Sequence, residues 1–319
     1  YHFCDDTFLI SGGEKKISKV YDTFANRTVA MAHPLRHETP SEKEKFLREA
    51  QLASKLQHPN ILPVYEIGVD EQDVPFFVMR LLEGEELKKI VQDRFADANG
   101  LSLDTLLEIF LKVCDAMIYA HSRGVLHLDL KPSNIVVGKY GQAIVYDWGL
   151  AQVVDPSFGV ELDELAEPFD SDMLNNVTCS GTLKGTPGYM APEQIEAEGQ
   201  VSAVTDVYAL GAVLYFILTG TLPVRGGDVQ EILKNTREGR VVRPRLRRKK
   251  FNCPRSLGAV AMKALQLKPE NRYASVQELH DDVTRYLRGY APKAERASLF
   301  KQAQLLARRH NKVATAIFL

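Results

Sequence analysis

Cysteine is scarce in this chain, and the four present (Cys4, Cys114, Cys179 and Cys253) stand far apart with no C-x-x-C pair. That spacing argues against a zinc site or a disulfide framework and for a reducing compartment. Net charge is also small: 40 Lys and Arg against 41 Asp and Glu leave a formal charge of −1. Without a global basic field, no nucleic-acid partner is expected. No signal-peptide pattern is visible in the first residues; the cysteine usage makes a cytoplasmic setting the expectation. The longest internal apolar run, "VYALGAVLYFIL" from Val207 to Leu218, has 12 residues. A bilayer needs about 20, so this run is expected to be a buried core helix.

What the sequence does contain is length and order. Its 319 residues allow two lobes, each with its own core. The first eighty residues are strand-rich with one helix among the strands. "KISKVYD" and "RTVAMAH", joined by residues 23–26, predict an antiparallel hairpin. In "TPSEKEKFLREAQLASKL", Thr39 is a fitting N-cap, Pro40 suits the first helical position, and Glu42 completes a capping box. "ILPVYEIGVD" and "PFFVMRLL" predict two further strands. After "EGEE" helices take over. Leu103, Leu107, Phe110, Cys114 and Met117 fall on one helical face, and Gly124 is a natural stop. A small β-rich lobe followed by a larger helical one predicts an α+β fold with a cleft between lobes.

Three segments are biased in charge. Asp155 to Asn176 holds seven acidic residues and no Lys or Arg, the composition of a solvated, mobile insertion. "RVVRPRLRRKK", residues 240–250, is strongly basic and reads as a solvated loop or a contact for an acidic surface. At the C-terminal end, "LLARRHNKVATAIFL" sets Arg308, Arg309, His310 and Lys312 before an apolar stretch. Two readings fit that tail: the cytoplasmic flank of a membrane helix beyond it, or an amphipathic helix docked on the body.

The densest chemistry lies in "VLHLDLKPSNIVV", residues 125–137. One loop there carries Asp129, able to accept a proton from a hydroxyl, and Lys131, able to neutralise a phosphoryl oxygen. Asn134 adds an oxygen ligand for Mg²⁺. Asp147 in "VYDWG" follows after one more strand, a hard carboxylate before a Gly that frees the turn. In this order the residues resemble a serine/threonine protein kinase, over roughly residues 8–289. "HLDLKPSN" resembles the catalytic loop, "DWG" the metal-binding element, and "GTPGYMAPE" the substrate-docking segment. The style of "HPNILPVYEIG" and "LKPENRYASVQELHDDVTRYLRG" resembles bacterial Hanks-type kinases. The resemblance implies a bilobal kinase-like fold. Residues 8–82 would be the N-lobe, 83–289 the C-lobe, and 290–319 a basic tail that, on the first of its two readings, would lead to a membrane helix and make this the cytoplasmic part of a membrane-anchored protein.

The resemblance also implies ATP and Mg²⁺ or Mn²⁺ as cofactors and a protein substrate. Asp129 would orient or deprotonate a hydroxyl, Lys131 would stabilise the phosphoryl group, and Asn134 and Asp147 would hold the metal. Gly13 would belong to the phosphate loop. Val20 and Ala30 would roof the adenine, with Val136 beneath it. Met79 would be the gatekeeper, and the backbone near Arg80 and Leu82 would bond the base. Arg272 would pair with Glu193, and Asp206 would start the long helix.

The chain departs from the family at four places. "VAMA" aligns with V-A-I-K, so Ala32 stands where a phosphate-binding lysine belongs, and Glu49, its usual partner, is left without one. "GEKKIS" puts Lys15 and Ser18 at glycine positions, which weakens a loop that works through backbone amides. "HLD" lacks the arginine that reads a phosphorylated activation loop, and Trp148 replaces Phe. Losing one contact to phosphate costs about 2–4 kcal/mol of transition-state stabilisation. Lys16, four positions before Val20, is the expected substitute on the ligand side, with Lys19 facing away. With-no-lysine kinases resemble this arrangement. Two functions fit: a kinase of reduced activity, or a pseudokinase that binds nucleotide and serves as a scaffold.

Overall fold

A computed structural model describes residues 1–12, 15–36, 39–96, 100–154, 185–196, 199–244 and 253–309. Five strands come first: β1 (His2–Gly12), β2 (Lys15–Asp22), β3 (Arg27–Pro34), β4 (Val64–Val69) and β5 (Pro75–Met79). They form one sheet in the order β1-β2-β3-β5-β4, and every paired neighbour is antiparallel. Helix α1 (Pro40–Lys55) crosses between β3 and β4. Its N-terminus carries the expected capping box: Thr39 Oγ1 accepts from the Glu42 N–H at 3.3 Å, and the Glu42 carboxylate accepts from the Thr39 N–H at 3.2 Å. Such a cap stabilises a helix by about 1 kcal/mol.

The β2–β3 hairpin decides which side chains face the cleft. Asp22 closes its turn, accepting from the Phe24 and Ala25 N–H groups at 3.2 and 3.0 Å, and Asn26 takes φ +52°, which Asn tolerates. Asp22 then pairs with Arg27, Lys19 with Ala30, Ile17 with Ala32 and Lys15 with Pro34. Because side chains alternate, Lys15, Ile17 and Lys19 share a face with Ala30 and Ala32. That face packs on Phe46 and Ala50 of α1 and on Phe77 and Met79 of β5. Val20 lies on the opposite face, clustered with Val29, Met31 and Val78.

The second body is mainly helical: α2 (Leu87–Ala96), α3 (Leu103–Ser122), α4 (Ala203–Thr219), α5 (Val229–Arg237), α6 (Arg255–Ala264), α7 (Val276–Leu287) and α8 (Leu299–Arg309). Short strands β6 (Glu85–Glu86), β8 (Ile135–Val137) and β9 (Ala143–Val145) pair in the order β6-β8-β9, and β7 (Val125–Leu126) pairs with β10 (Gln152–Val153). Helix α3 buries far more than the expected stripe, including Leu106, Ile109, Val113 and Ala116. Gly124 follows its C-cap at φ +67°, the left-handed stop anticipated from sequence. The apolar run at 207–218 is the interior of α4, in which every residue from Thr205 to Thr219 is buried. A Cβ at Gly211 would come within 2.6 Å of Ala264 Cβ, so this glycine lets α4 and α6 approach closely. Among the described residues no helix is long and apolar enough to cross a membrane. The acidic stretch 155–176, residues 245–250 of the basic stretch and residues 310–319 of the tail lie outside the described residues.

Candidate active site

The loop between β7 and β8 is shaped from below by one buried carboxylate. Asp206, fully buried in the first turn of α4, accepts from the His127 and Leu128 N–H groups at 2.9 Å each, and His121 Nε2 lies 2.8 Å away. Leu128 is held at φ +64°, and its carbonyl accepts from Gln194 Nε2 at 2.8 Å. Burial works against ionising Asp206, but His121 and the backbone donors outweigh it and keep the carboxyl below its ordinary range. Its folded value is thus lower than its unfolded one. The stability it gives is complete above about pH 4 and disappears as pH falls through the folded value. Asp206→Asn is expected to cost about 2–3 kcal/mol at neutral pH, because an amide cannot accept from all these donors. The cost should shrink in acid; urea unfolding of both proteins at neutral and acid pH checks this.

Pinned in this way, the loop presents Asp129. Its Oδ2 accepts from Lys131 Nζ at 2.6 Å and from Asn134 Nδ2 at 3.4 Å, and its Oδ1 accepts from the Thr186 hydroxyl at 2.7 Å. Lys131 Nζ also reaches Thr186 Oγ1 at 2.8 Å, so the loop and the "GTPGYMAPE" segment meet at one carboxylate. Asn134 Nδ2 donates to the Asp129 carbonyl at 3.0 Å. Strand β9 then delivers Asp147, a non-glycine residue at φ +67°. Backbone held in this sparsely populated region is concentrated at functional sites. Tyr146 ties the two segments together: its N–H donates to the Asn134 carbonyl at 3.1 Å and its hydroxyl to the Ser133 carbonyl at 2.6 Å. Trp148 is buried against the His127 ring, with centroids 4.6 Å apart, so the core accepts the larger ring.

Asp129, Asn134 and Asp147 line one cavity of about 450 Å³, whose upper wall includes Ile17, Met79 and Lys15. Lys15 Nζ is hydrogen-bonded to Glu49 of α1 and lies 3.2 Å from Asp147 Oδ1. Burial works against its ammonium, but Glu49 and Asp147 outweigh burial and raise its pKa. Asp147 mirrors this: burial opposes ionisation, and Lys15 more than offsets it, holding the carboxyl below the usual range.

Three expectations are corrected by the hairpin register. Lys16 is not the substitute on the ligand side; it sits on the face of Ser18 and Val20, and its neighbour Lys15 enters the cavity instead. Val20 is not a roof residue, being fully buried on the far face of the sheet. Lys19 does not face away but lies opposite Ala30. Glu49, expected to be without a lysine, has one. Ala30 and Met79 do share the cleft face as directly paired residues. Arg80, Leu82 and Val136 line a neighbouring hollow of about 340 Å³. The Arg80 N–H donates to the Pro63 carbonyl at 3.2 Å. Gly13 lies outside the described residues. Sequence reasoning missed both Lys15 and Thr186, although the closing pair of the hairpin fixes the first by parity.

The helical body carries the remaining expected pair: Arg272 Nη1 and Nη2 donate to the two Glu193 carboxylate oxygens at 2.7 and 2.8 Å. Compared with known families, residues 9–283 match the protein kinase domain. The chain belongs to the protein kinase family. It is 38% identical over 293 residues to a serine/threonine-protein kinase PknD of Protochlamydia amoebophila, covering 87% of this chain and 29% of that protein. PknD of Chlamydia felis is 37% identical over 287 residues (87% of this chain, 30% of the relative), and PknD of Chlamydia pneumoniae 36% over 293 residues (88% and 30%). The chain thus spans about three-tenths of the length of these relatives, and its likeness is to bacterial kinases of the serine/threonine type.

Proposed function

We propose that this domain transfers the γ-phosphate of ATP to serine or threonine hydroxyls of protein substrates. The meeting of Asp129, Asn134 and Asp147 in one cavity, with Lys131 and Thr186 bonded to Asp129, carries this reading. Asp129, fixed by three donors, would orient the attacking hydroxyl and take its proton. Lys131, beside it, would balance charge on the phosphoryl oxygens. Adenine would lie under Ala30 and over Val136, past Met79, against the backbone of Arg80 and Leu82.

Asn134 and Asp147 are the residues that would hold Mg²⁺ or Mn²⁺. They are hard oxygen donors, and the described residues hold no group of three or more His, Cys, Asp or Glu that could bind a metal unaided. One carboxylate, one amide, phosphate oxygens and water make a set that suits Mg²⁺. The ion would neutralise charge on the β- and γ-phosphates when bound. A cytoplasmic location is the corresponding reading, with residues 8–82 and 83–289 as the two lobes. The tail from residue 290 is an appended basic segment, the flank of a membrane helix or a docked helix.

Labelled ATP, Mg²⁺ and a generic basic protein test the reading. Label on phosphoserine and phosphothreonine, formed about 10²–10⁴-fold more slowly with Asp129→Asn, is the expected result. Ala32 favours a second reading, a nucleotide-binding scaffold. That reading predicts ATP-dependent thermal stabilisation with wild-type label no higher than that of Asp129→Asn.

A further inference from the structure

The cleft of this domain has a charge problem that its own sequence creates and its fold then answers. Glu49, Glu86, Asp129 and Asp147 all line the cavity, which a triphosphate must enter with several negative charges of its own. Ala32, at the strand position where the family places a lysine, supplies no cation and is fully buried in the cluster of Phe46 and Phe77. We propose that Lys15 is the phosphate-binding lysine of this domain, delivered from β2 to the place that β3 leaves without one. This rests on the kinase reading above and deepens it.

The geometry points to Lys15 on three counts. It shares a face with Ala32, one strand across and two residues along, since Ala32 pairs with Ile17 and Pro34 with Lys15. Strand spacing of about 4.8 Å and a rise of about 3.4 Å per residue put the two Cα atoms about 8 Å apart, within reach of a lysine side chain. Its ammonium meets both acids that define the phosphate end of the cleft: Glu49, from α1, and Asp147, at the end of β9. Gly149 lies against this pair, where a Cβ would come within 3.2 Å of Glu49 Oε2 and crowd it. A lysine bonded to Glu49 is held in a fixed rotamer and so meets phosphate already ordered.

The other nearby lysines fit less well. Lys16 lies on the far face of the sheet, and Lys19, though on the cleft face, is opposite Ala30 and does not line the cavity. Lys45 does line it, but from α1, one helical turn before Glu49, and not from the sheet that roofs the nucleotide.

A lysine that merely braces α1 would not react with a nucleotide, and this separates the two roles. Adenosine carrying a 5′-fluorosulfonylbenzoyl group places a sulfonyl fluoride where the phosphates bind. The lysine amine attacks sulfur, fluoride leaves, the amine proton passes to solvent, and a sulfonamide remains. Mass spectrometry of the digested wild-type protein should find this group on Lys15, and excess ATP should prevent its attachment. Label on Lys45 or Lys16 instead, or label on Lys15 that ATP does not reduce, overturns the proposal. This readout needs no variant to fold. In parallel, Lys15→Met should slow phosphate transfer about 10²–10³-fold and raise KM for ATP, whereas Lys16→Met should stay near wild type. A wild-type rate no higher than that of Asp129→Asn defeats the kinase reading, and the label alone then decides the role of Lys15. An active wild type matched by an equally active Lys15→Met defeats the Lys15 proposal and leaves the kinase reading standing.

Discussion

Asp129→Asn is expected to slow phosphate transfer by about 10²–10⁴-fold, the range over which a positioned general base contributes, while nucleotide affinity stays close to wild type. The carboxylate accepts from Thr186 on one oxygen and from Lys131 and Asn134 on the other. An amide keeps one accepting oxygen and turns its NH₂ toward a donor on the other side. It can neither take the proton of an attacking hydroxyl nor hold both neighbours in place. The acids that meet Lys15 are Glu49 and Asp147, not Asp129, so the nucleotide end of the cleft is untouched. Measuring kcat by label transfer and ATP affinity by calorimetry separates the two effects. A variant that loses affinity and rate together would place Asp129 in binding instead.

The second large effect is on stability. Arg272→Ala is expected to destabilise the domain by about 3–5 kcal/mol, the cost of breaking a buried ion pair from one side. The Arg272 side chain is fully buried, and besides Glu193 it donates to the Gln266, Leu267 and Val204 carbonyls at 2.9, 3.0 and 3.0 Å. Alanine strands a buried carboxylate and three carbonyls at once. The loss should also reach the active loop. Thr205 donates to Glu193 at 2.8 Å, and Gln194, the next residue, holds the Leu128 carbonyl beside Asp129. A urea midpoint that falls sharply, with Glu193→Gln adding little in the double variant, is the expected pattern.

Much of the site was legible because its chemistry is carried by contiguous residues. "HLDLKPSN" and "DWG" fix Asp129, Lys131, Asn134 and Asp147 by order alone, and the fold had only to bring the two segments together. Caps were legible for the same reason: Thr39, Glu42 and Gly124 act within one turn of their own position. The roof was not, since it depends on parity across a hairpin. Counting from Val20 as a roof residue assigns Lys16 to the cleft. Counting from the Asp22–Arg27 pair, where the turn closes, assigns Lys15. A one-residue change of register reverses every side chain on the strand, so a motif match with degenerate glycines could not decide it. Thr186 was hidden differently: it sits in a quoted motif, but its contact with Asp129 joins residues 57 apart in sequence.

With Lys15 in this role, one lysine has changed strands while its charge has kept its place. A cycle of four proteins measures this most directly: wild type, Lys15→Ala, Ala32→Lys, and both changes together, each assayed for phosphate transfer at saturating and limiting ATP. In the wild-type background, Ala32→Lys should bring no gain, because a second ammonium meets acids that Lys15 already occupies and crowds a buried site. In the Lys15→Ala background, the same change should restore much of the lost rate. The effect of residue 32 thus depends on residue 15, and the two do not add. An Ala32→Lys gain of equal size in both backgrounds would overturn this assignment, showing that position 32 lacks a charge Lys15 does not supply.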